Sequence, residues 1–78
     1  MTYFPLMLDL RGRPVLLLAG GPEPSVRLKA LLEAGARVTV LAEEDAFGLE
    51  ALEREGKMRW LKRAYREGDL EGYFLVIS

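Results

Sequence analysis

The segment with the clearest chemical meaning is Ala19-Gly20-Gly21-Pro22-Glu23-Pro24, between an apolar run and an amphipathic one. Glycines in a strand-to-helix turn let backbone N–H groups approach an anion, because no Cβ stands in the way. A dinucleotide fingerprint asks for Gly-x-Gly-x-x-Gly/Ala there: a tight turn, a close approach to pyrophosphate, and a close helix–strand contact. In that register Ala19 holds the first place, Gly21 the second and Pro24 the third, so only Gly21 is a required glycine. Pro22 and Pro24 remove two N–H donors from the place where a pyrophosphate would seek them, and Glu23 adds a negative charge. The same residues also read as a plain turn of an α/β fold, and the motif alone leaves both readings open. An acid that holds ribose hydroxyls should end the second strand. That position is Ala42; Glu43 stands one step on, where an acid equally serves a helix start.

Other chemistry is sparse. Cysteine and histidine are absent, which excludes His/Cys zinc sites, a Ser-His-Asp triad and a Cys-His nucleophile. No carboxylate pair stands at a spacing that suggests acid–base catalysis, and no P-loop pattern occurs. No metal site is expected. Arg63 and Tyr65 could face a ligand, but Lys62-Arg63 after a strand reads first as solvated surface. Trp60 reads as core, and Glu50, Glu53, Arg54 and Glu55 as a solvated helix face.

The elements that must position the glycine turn follow from periodicity. Val15-Leu16-Leu17-Leu18-Ala19 is a continuous apolar run, as in a strand buried on both faces. Leu28, Leu31, Leu32 and Gly35 recur at i, i+3, i+4, i+7, which places one stripe on a helix. Pro24 suits its first turn and Gly35 its stop. Val38-Thr39-Val40-Leu41-Ala42 predicts a second strand. Glu43-Glu44-Asp45 predicts the start of a second helix, with Phe47, Ala51 and Leu52 buried and Gly56 ending it. Met58-Arg59-Trp60-Leu61 predicts a third strand near an edge, Asp69-Leu70-Glu71-Gly72 a helical turn, and Tyr73 to Ile77 a fourth strand. Thr2 to Arg13 reads as a short strand or extended cover. This alternation predicts an α/β fold: a three-layer, Rossmann-like parallel sheet of order 3-2-1-4, truncated after the fourth strand. The glycine turn then lies at the carboxyl end of the first strand, where open α/β sheets bind ligands.

Composition sets the outer bounds. The 78 residues carry 11 basic and 12 acidic side chains, a net charge of −1, and are 50% hydrophobic and 29% charged. That is one small globular domain, residues 1–78, with a core of marginal size. Near-neutral charge gives no case for nucleic acid or an anionic membrane surface. Pro14 to Ala19 and Tyr73 to Ile77 fall far short of the ~20 residues needed to span a bilayer. No basic segment precedes an apolar stretch at the N-terminus, so no secretory signal is expected and the expected location is the cytoplasm.

Three further segments carry a family resemblance: Phe4 to Arg13; Leu31-Leu32-Glu33-Ala34-Gly35-Ala36-Arg37-Val38-Thr39-Val40; and Arg63-x-Tyr65 followed by Asp69-Leu70-x-Gly72-x-x-Leu75-Val76-Ile77. In this order, without gaps and over essentially the whole chain, they resemble the N-terminal NAD-binding domain of the siroheme synthase family, the precorrin-2 dehydrogenase/sirohydrochlorin ferrochelatases. The resemblance implies a Rossmann domain that binds NAD and takes part in hydride transfer from precorrin-2, giving sirohydrochlorin. By position it implies cofactor contacts at Gly20, Gly21, Pro22, Glu23, Glu43 and Glu44. The family also tends to lack an acid at the place of Ala42. Its glycine loop reads Gly-Gly-Gly-x-Val-Ala-x-Arg-Lys. Here Ala19, Glu23 and Pro24 depart from that pattern, and Arg27 alone stands for the Arg-Lys pair, which predicts weakened NAD binding. In the family an Ala-Thr-Asp-Asp segment follows the fourth strand and holds the aspartate thought to serve catalysis. That segment lies past Ser78, so no catalytic residue is expected within the chain, which should be inactive alone and meet a tetrapyrrole only when the further segments are supplied. The competing expectation is a non-catalytic module that has lost cofactor binding and serves in protein association. An apolar fourth strand at a sheet edge invites a homo-oligomer, such as a dimer, or another strand partner.

Overall fold

The computed structural model describes residues 9–20, 23–45 and 47–77. Pro5 and the rest of the expected cover over residues 2–8 lie outside them. The elements follow as β1 (Pro14–Leu18), α1 (Pro24–Glu33), β2 (Arg37–Leu41), α2 (Leu49–Arg54), β3 (Arg59–Leu61) and β4 (Leu75–Ile77). The four strands form one parallel sheet in the order β3-β2-β1-β4, as expected. In register, Val15 lies between Val38 and Leu75, and Leu17 between Val40 and Ile77.

Successive strand residues face opposite sides of the sheet. Val15, Leu17, Val38 and Val40 point toward the helices and pack with Leu28, Leu31, Leu49 and Met58. Leu28 and Leu31 each contribute about 2 kcal/mol by leaving water, and they fix α1 against β1 and β2. Leu16 and Leu41 point to the other face and are buried there too. The right-handed rule for parallel strands would carry the return from β3 to β4 across that face. On that rule residues 62–74 supply the third layer, as turns over 67–72 rather than as a helix.

Both helices stop by the same device. Gly35 and Gly56 adopt left-handed backbone, and two bonds close each end: Gly35 N to Leu32 O with Ala36 N to Leu31 O, and Gly56 N to Glu53 O with Lys57 N to Leu52 O. This Schellman closure satisfies carbonyls that the helix leaves open. An added Cβ at Gly35 would also stand 3.2 Å from Arg11 Cγ.

The second helix corrects the sequence expectation. Glu43, Glu44 and Asp45 do not begin it; the helix starts at Leu49. Phe47 and Gly48 take left-handed backbone, and the Asp45 carboxylate accepts a bond from Leu49 N at 2.6 Å. A cap acting from four residues upstream holds Glu43 and Glu44 outside the helix. The buried contact passes from Phe47, which is 36% exposed, to Leu49, which is fully buried. Ala51 is exposed as well, and only Leu52 is half-buried as expected.

Candidate functional site

The glycine turn leaves the carboxyl end of β1, and the sheet ladder runs one residue past the strands there. Ala19 N donates to Leu41 O at 3.1 Å, and Ala42 N donates to Leu61 O at 3.2 Å. The three strand ends thus stop at one level. A cleft of about 470 Å³ opens above them, lined by residues 18–20, 41–44 and 63–65. Its floor is apolar, made by Leu18, Leu41 and Ala42. The indole Nε1 of Trp60 donates to Ala42 O at 3.0 Å and holds that floor in place.

Of the residues expected to contact a cofactor, Gly20, Glu43 and Glu44 meet at this cleft. Glu23 does not: it occupies the N-cap of α1, exposed, with φ 48° and ψ 52°. Gly21 and Pro22 lie outside the described residues. Pro24 enters the first turn of α1 as expected, and Arg27 N already donates to Glu23 O at 3.2 Å. That leaves Ser25 and Val26 to offer first-turn N–H groups.

Arg63, read first as solvated surface, is half-buried, and Tyr65 is 51% exposed. They form the third wall of the cleft. Arg63 donates through Nη1 and Nη2 to the two carboxylate oxygens of Asp69, at 2.7 and 2.6 Å. Asp69 also accepts from Arg66 N at 2.5 Å. The Arg63 hydrogen bonds first, then the Arg66 backbone bond, hold the Asp69 carboxyl down at about 2, below the usual 3.8. The same pairing raises Arg63 above its ordinary value. A pair six residues apart across an irregular connection leaves no periodic trace, which is why the sequence named Arg63 and Tyr65 as able to face a ligand but did not reveal Asp69 as the partner of Arg63.

The arrangement can bind and orient. An apolar floor suits a flat ring, two rim carboxylates suit vicinal hydroxyls as acceptors, and the Tyr65 ring offers a face. Among the described residues no three metal-ligating side chains converge.

A parallel sheet of this order, with a ligand-sized cleft at the carboxyl ends of its first two strands, is the architecture of the Rossmann-like class of α/β domain. Residues 6–78 match the family described as "Putative NAD(P)-binding", and the chain belongs to that family. It is 38% identical over 78 residues to the siroheme synthase of Actinobacillus pleuropneumoniae serotype 3 (strain JL03), covering all of this chain and 16% of the relative. It is 41% identical over 78 residues to siroheme synthase 1 of Cronobacter sakazakii (strain ATCC BAA-894), again over the whole chain and 17% of the relative. Among solved structures it is similar to SirC, a precorrin-2 dehydrogenase, with TM-score 0.82 and 34% identity, over 95% of this chain and 37% of that one. The chain thus spans about a sixth of the length of those siroheme synthases.

Proposed function

We propose that the chain is the NAD-binding part of a precorrin-2 dehydrogenase acting in siroheme biosynthesis. The observation that carries this reading is the cleft over β1 and β2, with Glu43 and Glu44 on its rim, in a chain so similar to SirC and the siroheme synthases. The residues fit the adenosine half of a dinucleotide. Leu18, Leu41 and Ala42 receive the ring, and Glu43 or Glu44 accepts from the ribose hydroxyls. The phosphate half rests on Gly20 and the first turn of α1, where Pro24 has no N–H to give. Bound there, NAD would supply the hydride acceptor. The chain's own part is to hold and orient it, while the family pattern assigns the catalytic aspartate to the segment after the fourth strand. The outer edge of β4 has no strand partner among the described residues, and on this reading further sheet or a second copy pairs there. The setting is the cytoplasm.

Calorimetric titration with NAD and NADP tests the reading. Saturable NAD binding is expected, with NADP weaker because its 2′-phosphate would meet Glu43 and Glu44. Failure of NAD to saturate at roughly millimolar concentration would sink it. Glu43→Arg with Glu44→Ser should reverse the preference between the two cofactors.

A further inference from the structure

The opposite pole of the sheet carries a second cleft, of about 740 Å³. Arg37, Thr39 and Arg59 line it from β2 and β3, Lys57 from the turn before β3, and Glu71 and Tyr73 from the return connection. Thr39 is paired in register with Arg59, and Arg37 stands two residues before Thr39 on the same face of β2. Two guanidinium groups thus flank one buried threonine on neighbouring strands about 4.8 Å apart.

Contacts among the described residues do not account for these cations. Basic residues often gather where helices end, because carbonyl dipoles point there. Arg37 and Arg59, however, share the face of Thr39, opposite the face that packs on α1 and α2. Neither makes an ion pair among the described residues. Lys57 lies 3.5 Å from Glu55, with both side chains more than half exposed, and such a pair contributes little. Like charges on adjacent strands oppose sheet formation, and a bound anion would remove that cost. Arginine forks suit planar or tetrahedral oxyanions, and two forks favour an anion with more than one charged group. Thr39 and Tyr73, which carry hydroxyls, also line the cleft. Among the described residues Glu71 is the one acid on the wall, and it sets a limit on how closely an anion can approach that side.

We propose that this amino-end cleft is a binding site for a small polyvalent oxyanion, a di- or tricarboxylate or a pyrophosphate, held by Arg37 and Arg59 with help from Lys57. It is separate from the cofactor cleft by the length of β2, about 16 Å.

The test is a nitrogen-15 NMR titration of the chain with citrate and, separately, pyrophosphate, at matched ionic strength. The expected result is saturable shifts confined to residues 37–39, 57–59 and 71–73, with Kd below roughly 1 mM. The ion that binds more tightly identifies the class. Arg37→Gln with Arg59→Gln should weaken binding at least about tenfold, while amide positions elsewhere hold. Glu71→Gln, an exposed change that spares the core, should tighten it. Shifts that fail to saturate, that appear equally at Arg27 and Arg66, that centre on residues 41–44, or that survive the double substitution would each overturn the proposal. So would an unchanged affinity in Glu71→Gln.

Discussion

Arg63 and Asp69 face each other across the connection between β3 and β4 and share two parallel hydrogen bonds, at 2.7 and 2.6 Å. Their side chains are 29% and 12% exposed, unlike the solvated Arg54–Glu50 pair. The bidentate geometry makes this ion pair a structural strut. It ties the wall that carries Tyr65 to the turns that lead into β4.

The strut gives stability a pH dependence of definite sign. The folded Asp69 value, about 2, lies below the usual 3.8. Its contribution is therefore complete above the unfolded value and is lost as pH falls through the folded one. Thermal melts across that interval should show the native chain losing stability. Asp69→Asn should melt several degrees lower near neutral pH, and the gap should close toward pH 2. Glu50→Gln should match the native chain near neutral pH, since an exposed pair contributes little. A constant gap between the native chain and Asp69→Asn at all pH values would mean that the effect is packing and not charge.

The capping of α2 by Asp45 predicts an ordered set of mutational costs. Leu49→Ala empties a fully buried site and should cost about 3 kcal/mol. Asp45→Ala removes the acceptor for Leu49 N and should cost about 1 kcal/mol. Phe47→Ser, at a partly exposed left-handed position, should cost less than either. Urea denaturation of the three variants checks the order. A Phe47 variant as damaging as the Leu49 one would restore the burial pattern expected from periodicity.

Glu23 holds left-handed backbone that a residue with a Cβ adopts at a cost. Glu23→Gly should therefore stabilise the chain by about 1 kcal/mol. Gly35→Ala should do the opposite by at least about 1 kcal/mol, because its φ is 80° and the new Cβ would crowd Arg11. Denaturant midpoints that move in the same direction for both variants would contradict the backbone geometry.

How far each feature was legible depends on what encodes it. The sheet order and α1 were legible because burial on two faces forces apolar runs at Val15 to Leu18 and Val38 to Leu41, and burial on one forces the stripe of Leu28, Leu31 and Leu32. Gly35 and Gly56 marked helix ends because few other residues take their conformation at low cost. The start of α2 was not legible, because acids at 43–45 suit both a first turn and a loop that caps from upstream. Choosing between them needs the left-handed backbone of Phe47 and Gly48. In the cleft over β1 and β2, Gly20 and Glu43 follow from strand ends, which periodicity locates. Arg63 and Tyr65 follow from a chain crossing the far face of the sheet, which no local pattern encodes.

The glycine loop offers the sharpest test of cofactor binding. Pro24 sits in the first turn of α1, where an N–H would otherwise face an anion held at the helix end. Pro24→Ala restores that donor, and Ala19→Gly opens the tight turn to closer approach. A hydrogen bond to a charged phosphate contributes about 1.5–3 kcal/mol, so the pair of changes should tighten NAD binding about tenfold or more. The loss of a pre-set φ should lower stability by less than about 1 kcal/mol, and a thermal melt will separate that from affinity. Adenosine, which lacks the pyrophosphate, is the control. If NAD and adenosine tighten equally, the gain comes from the shape of the cleft rather than from a restored phosphate donor. If only NAD tightens, Pro24 marks the place where this chain's grip on the cofactor departs from the family pattern.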